Sequence, residues 1–438
     1  MTVQRSRVLL MLLPVFAWSA EGAALTRDLP PGLQVPEAAV AGPDFDVERA
    51  TEAYLGLLSP GQRAQSDAYF EGGYWLQLWQ LLYGLGVSVL LLATGWSRRM
   101  RDRAQRISAR RWLSTALYAA MFLLATQLIG LPLSIYTEYV REHAYGLSTQ
   151  GFGAWFGDLA KGSAVVLVIM PFVIAGLYAL LRRAGERWWL YAGMASFALI
   201  LFISMIAPVF VAPLFNDYKP LPAGEVRESI LSLARANRIP TEHIEWFDAS
   251  RQTTRVSANV SGFAGTTRVN LNDNLLKKTS LPEINAVMGH EMGHYVLNHS
   301  LRLSVYFSLL IAFGFWFVHV TFDRAQRRWG QRFGVEGRAD PAGLPLISAL
   351  ISVFFFVATP VSNSIVRQAE AEADAYGLNA AGEPHGFATA AMRLSTYRKI
   401  HPGKWEEAIF YDHPSGYDRV RRSMEWLKEH PEAGRRGP

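Results

Sequence analysis

None of the 438 residues is cysteine. That excludes disulfide staples, a thiol nucleophile and thiolate ligands, so any metal must be held by histidine and carboxylate. It also removes redox chemistry as a guide to compartment. Charge is scarce: Asp, Glu, Lys and Arg make up 18% of the chain, against about 25% in ordinary soluble proteins. The net charge is +6, yet the arginines sit in short loops between apolar runs rather than along one helix face. This excludes a nucleic-acid partner and points to membrane topology instead. Histidine is sparse too, with ten in the chain, so histidines in register carry weight.

Apolar residues are abundant. Half of the chain is hydrophobic, 12% is aromatic and the mean hydropathy is positive, the balance of a membrane protein. Six runs are long enough to cross a bilayer, at about 74–96, 112–135, 163–181, 188–210, 303–322 and 343–362. Prolines within them, such as Pro132 and Pro171, are tolerable in a helical membrane bundle. Ahead of them, Arg5 and Arg7 precede an apolar run at 8–18, with small residues at Gly22 and Ala24. This reads as a signal peptide over 1–24, cleaved after Ala24 or Ala20; the alternative is an uncleaved further span. Residues 25–73 are Pro-punctuated, with a helical pattern near 48–58, and read as an exposed lead-in. The division expected is therefore four spans over 74–213, a polar block over 214–302, two spans over 303–362 and a second polar block over 363–438.

The first polar block holds the stretch on which the chemistry rests, SLPEINAVMGHEMGHYVLN at 280–298. Ser280 with Glu283 forms a capping box, and Pro282 falls in the first turn, where a missing N–H costs nothing. Inside the helix so begun, His290 and His294 lie four apart on one face and can grip one metal ion, while Glu291 projects beside them as a general base. That is a zinc site in the making. An accidental H-E-x-x-H is expected roughly once per hundred chains of this composition, so a third ligand is needed. His299, five residues beyond His294, falls off the metal face and reads as surface.

The same block carries a helical pattern at 224–237 and two β-like stretches at 254–260 and 267–271. The latter two form a hairpin that either packs the metal helix or offers an edge for an extended peptide. In the second block, 365–379 reads as an Ala-rich helix with Glu370, Glu372 and Asp374. Glu370 and Asp374 share a face, and such a pair can supply one carboxylate to the metal and another to hold a ligating histidine. Glu372 points elsewhere. His413 lies in a loop before Pro414, a position that usually has no special role.

Taken together, these motifs resemble the type I CAAX prenyl endopeptidases, membrane-embedded zinc metalloproteases, over about 73–427. The residues that carry the likeness are Pro132-Leu133-Ser134 with Glu142 and Gly146, Ile206-Ala207-Pro208 through Pro213-Leu214-Phe215-Asn216, and Ser257-Ala258-Asn259. To these add the His290–His294 motif, Arg367 with Glu370-Ala371-Glu372-Ala373-Asp374, and His413-Pro414 followed by Arg419. The resemblance implies a mainly α, polytopic membrane protein with a gluzincin-like metallopeptidase domain carrying a small β-hairpin or sheet. It implies one Zn2+ on His290, His294 and Glu370, with Glu291 handling protons and Asp374 behind a ligating histidine. His413 and Arg419 would face the substrate and its developing oxyanion, and the strand of Ser257 and Asn259 would receive the substrate backbone. The partners implied are membrane lipids and a peptide or membrane-protein substrate, lipidated or not, which is either matured at a CAAX box or removed in quality control. A metal-containing binding chamber is the non-enzymatic rival, marked by a closed four-ligand site.

In that family the protease domain faces the cytosol, whereas the loop charges here argue for the other side. Loop 98–111 carries seven Arg against one Asp, 182–187 carries Arg182, Arg183 and Arg187, and 323–342 carries five Arg against three acids. All three fall on one side of a six-span protein, and the positive-inside rule makes it cytoplasmic. Both polar blocks then lie on the external, periplasmic face of a bacterial inner membrane; a cytoplasmic face is the alternative.

Overall fold

The computed structural model describes residues 29–261 and 267–435. The expected signal segment 1–24 lies outside them. Six helices among the described residues are long and apolar enough to span a membrane: Pro60–Ala93, Arg111–Ala144, Phe152–Arg183, Gly185–Leu214, His299–Phe333 and Pro341–Ala381. Each expected span coincides with one of them; the first overruns its helix at 94–96, and the other helices run further than expected. Large apolar side chains such as Val168, Phe172, Phe202, Met205, Phe313 and Val357 point outward and exposed, as a lipid-facing surface requires.

The first helix starts early because Ser59 and Gln62 form a capping box with Pro60 at the first position. Residues 60–73 are therefore helical rather than lead-in. Nor is the described remainder, 29–59, a free lead-in, since its apolar residues dock on the rest of the protein. Leu29, Ala50, Tyr54 and Leu58 share a buried core with Met392, Val420 and Leu427 from the C-terminal block. The buried Arg393 ties the two together, donating to the carbonyls of Leu29, Pro30 and Gly32 and, at 2.6 Å, to Glu283 of the metal-motif helix. The helical pattern near 48–58 is realised as helix Val47–Leu55, with Ala50 and Tyr54 four apart on one face, but an apolar face does not name what covers it, and here the partner lies more than 300 residues away.

A second boundary also dissolves. The last span and the Ala-rich acidic helix are one continuous helix, Leu344–Ala381, with no break near 363. It begins beside the basic loops and reaches Glu370 after 26 residues, about 39 Å at 1.5 Å per residue, more than a hydrocarbon core of about 30 Å. The three arginine-rich loops meet at its starting end. Ser97 Oγ donates to the Ala342 carbonyl at 2.7 Å, Arg101 pairs with Asp340 at 2.7 Å, and Arg338 lies 3.6 Å from Glu186.

At the other end sits a four-stranded sheet: β1 (Tyr218–Pro220), β2 (His243–Phe247), β3 (Ala258–Ser261) and β4 (Arg268–Asn272). The order is β1-β2-β4-β3. The expected hairpin is the antiparallel β3–β4 pair, with Asn259 opposite Asn270. Around it the chain adds β2, parallel to β4, and β1, antiparallel to β2. β3 is thus an edge strand. Beneath the sheet, Ile230 and Leu231 of helix Glu225–Ala236 pack with Val269, Leu271 and the inner face of the metal-motif helix.

Candidate active site

The metal-motif helix, Leu281–Val296, opens with the Ser280–Glu283 capping box. Glu283 does double duty, since its second oxygen accepts from Ser280 while the first pairs with Arg393. Ile284, Met288 and Met292 are buried toward the sheet. On the opposite side, small residues let helix Leu344–Ala381 approach closely. A Cβ built on Gly377 would stand 2.7 Å from the His290 nitrogen, and one on Gly289 would stand 2.9 Å from the Gly377 carbonyl oxygen. Only hydrogen fits at this crossing, so the two ligand-bearing helices meet backbone to backbone.

That approach brings His290, His294 and Glu370 together. Their donor atoms lie within 4.8 Å of one another. His290 Nε2 is 3.1 Å from His294 Nε2 and 3.3 Å from Glu370 Oε2, while His294 Nε2 is 3.4 Å from Glu370 Oε1. Four ligands about 2.05 Å from a tetrahedral ion stand about 3.4 Å apart, so these spacings suit a zinc-sized cation. Among the described residues the cluster contains three donors, the number at which catalytic zinc sites keep one position for water or substrate.

Each histidine is held from behind. Asp374 Oδ1 lies 2.8 Å from His290 Nδ1, although the N–H does not point squarely at it. Asp374 is fully buried and is gripped by Arg419 through Nε at 3.0 Å and Nη2 at 2.8 Å. Arg419 Nη2 also approaches Glu370 at 3.4 Å. The Arg419 guanidinium thus engages two carboxylates that arrange the donors, and it also lines the same cavity as His290 and Glu370. Burial works against protonation of His290; Asp374 and Glu370 overcome it and raise its pKa to about 9. A cation between the donors would displace that proton. Behind His294 stands His299, and here the surface reading fails. His299 is 1% exposed, and its Nδ1 is 2.8 Å from His294 Nδ1. The motif helix stops at Val296, and Asn298 takes a left-handed turn (φ 53°), so helical counting from His294 does not apply to residue 299.

Glu291 lies half-buried beside these ligands, and burial raises its pKa, opposed by the two neighbouring histidines. His413, in the loop before helix Gly416–Glu429, sits close to the donors, with Nε2 3.3 Å from Glu370 Oε2 and Nδ1 2.8 Å from Asp412 Oδ1. Burial lowers its pKa, and Asp412 opposes that. Asp412 went unread in the sequence, although an acid adjacent to a histidine is a usable signal. A cavity of about 570 Å³ joins these groups to Ser257 and Ala258 at the head of β3, with apolar walls including Phe70, Val287 and Phe387. Ser257 accepts the Asn272 N–H through its carbonyl, and the Asn259 side chain accepts from Asn270 across the strands at 3.0 Å. Glu142 pairs with Arg255 at 2.7 Å just upstream of that strand.

A helical membrane bundle, two ligand-bearing helices crossing through glycine and an acid beside three N/O donors define a membrane-embedded metallopeptidase. Comparison with known proteins agrees. Residues 49–217 match the CAAX prenyl protease N-terminal domain, described as five membrane helices, and residues 220–436 match peptidase family M48. Within 49–217 the described residues supply four helices long and apolar enough to span. A Bacillus subtilis protein described as an uncharacterized metalloprotease, YhfN, is 32% identical over 78% of this chain and 82% of its own length. A CAAX prenyl protease 1 homolog of Oryza sativa is 28% identical over 70% of this chain and 72% of its own length. The crystal structure of S. mikatae Ste24p shares the fold, with a TM-score of 0.70 and 21% identity, covering 84% of this chain and 89% of that one. The chain belongs to the M48 metallopeptidase family, in its CAAX prenyl protease-like membrane form, and is a metalloendopeptidase. The sequence resemblance to that family and the polytopic helical fold it implied are borne out.

Proposed function

We propose that this enzyme is a zinc endopeptidase that cleaves exported or membrane-protein substrates on the external face of the membrane. The convergence of His290, His294 and Glu370 beside Glu291 carries the reading. A nitrogen and oxygen donor set at tetrahedral spacing suits zinc, which would polarise the scissile carbonyl and bring the pKa of a water down toward about 7. Glu291 accepts the proton of the attacking water and returns it to the leaving amine. Negative charge developing on the carbonyl oxygen, together with Asp412, favours the imidazolium of His413, whose Nε2–H then donates to that oxygen. Asp374 and Arg419 act as positioning residues for His290 and Glu370. The substrate adds as a strand to the open side of β3 near Ser257 and Asn259, with its side chains in the apolar part of the cavity.

The test is metal removal. Chelation of the detergent-purified enzyme should abolish cleavage of a peptide panel, with stoichiometric zinc restoring it; the panel should include unmodified and lipidated members. Cleavage that survives complete removal of zinc would end the proposal. The orientation is a separate prediction resting on the clustered arginine loops, which the positive-inside rule assigns to the cytoplasm. Alkaline phosphatase fused after Pro438 should be active in a bacterial host, and a fluorescent protein that folds only in the cytoplasm should be dark there. The reverse pattern would place the active site in the cytoplasm and return cytosolic CAAX tails to candidacy.

A further inference from the structure

We infer that His299, with Glu372 and Arg302 behind it, forms a relay that sets the tautomer of His294 and thereby its affinity for metal. The inference rests on His294 being a ligand. A ligating histidine usually donates its spare N–H to a carboxylate, a carbonyl or water. For His294 the neighbour is another imidazole, which can donate or accept, so polarity has to be imposed from further out.

Glu372 imposes it. This carboxylate receives Arg302 Nη2 at 2.5 Å and Gln368 Nε2 at 2.8 Å, and it lies 3.3 Å from His299 Nε2. Paired with a guanidinium and one-third exposed, it is an acceptor only. His299 must therefore carry its proton on Nε2 and donate it to Glu372. A neutral imidazole with Nε2–H presents a lone pair at Nδ1. That lone pair accepts Nδ1–H from His294 and leaves His294 Nε2 unprotonated, aimed at His290 Nε2 and Glu370. Any other assignment fails. An imidazolium at residue 299, or its Nδ1–H tautomer, would force His294 Nδ1 to accept, and the proton would then sit on Nε2, where a metal must bind.

The sequence supplies this geometry through the left-handed Asn298, which turns His299 back beneath His294 with ring centroids 4.9 Å apart and planes at 72°. The arrangement parallels that at His290, where Asp374 is held by Arg419. Glu370, Glu372 and Asp374 on one helix thus serve as ligand, relay terminus and direct support.

The test compares zinc affinity, by chelator competition, and the visible spectrum of the cobalt-substituted protein. His299→Leu should weaken zinc binding 10–100-fold, the usual cost of losing such support, and distort the cobalt spectrum. His299→Gln should recover most of both, because its amide can accept from His294 and donate to Glu372, as the imidazole does. Leu and Gln variants equal to each other, or a Leu variant within twofold of wild type, would overturn the relay. Should His299→Leu fail to fold, Glu372→Ala decides: it removes the acceptor that fixes the proton on His299 Nε2, so zinc binding should fall about tenfold, and wild-type affinity would overturn the proposal. His294→Ala separates the two readings. If it keeps wild-type affinity, the ligand assignment itself is wrong; if it alone loses zinc, only the relay is.

Discussion

Replacing Glu291 with glutamine should leave zinc bound and cut kcat by about 10³-fold, within the range for loss of a general base. The amide matches the carboxylate in shape, so the fold and the metal donors stay as they are. What it lacks is a site for the proton of the attacking water. The half-buried position of Glu291 makes the substitution clean, since the same burial that raises its pKa removes the penalty for a neutral side chain. Zinc content and turnover of a fluorogenic peptide, read side by side, check the prediction. Activity above a tenth of wild type would show that another group takes the proton. Loss of zinc would make Glu291 part of the ligand architecture instead.

The site was legible in the sequence where its information is local. The capping box, the His290–His294 spacing and the neighbouring acid all lie within one helix, whose periodicity fixes their relative directions. Glu370 is on another helix and could be read only jointly with the motif. The Arg419 guanidinium was legible as important but its grip on Asp374 was not, because nothing in the sequence tells which acid of another helix it reaches. His299 was misread because the helical count was carried through a left-handed residue. One left-handed turn moved it from the surface to a position behind a metal ligand.

The fold followed the same division. Apolar runs announced the membrane helices, and clustered arginines announced the end where their loops meet. Non-local pairing was hidden: nothing local in the sequence says that β2 runs parallel to β4, or that the apolar face of the 47–55 helix docks on the C-terminal helices. The continuity of Leu344–Ala381 was obscured by composition. A change from apolar to Ala-rich and acidic looks like a domain boundary, whereas it marks a helix leaving lipid and entering the active site.

That continuity makes Gly377 the position where a single methyl group should do most harm. Gly377→Ala would place a Cβ 2.7 Å from the His290 nitrogen and 2.9 Å from its Cα, against backbone that no side-chain rotation can relieve. The helices would have to separate, and His290 lies at the contact while Asp374 and Glu370 sit one and two turns away on the other helix. Overpacking of this kind costs about 1–3 kcal/mol in stability. The functional cost is larger, because a shift of about 1 Å between reacting groups can cost about 100-fold in rate. We expect Gly377→Ala to fold, to bind zinc more weakly and to lose at least about 100-fold in kcat/KM. Gly157→Ala, where an added Cβ meets nothing within 4 Å, is the control and should match wild type. Near-normal activity of Gly377→Ala would mean that the two helices can part without disturbing the donors. The close crossing would then be a packing convenience rather than the feature that holds His290, Glu370 and Asp374 in register.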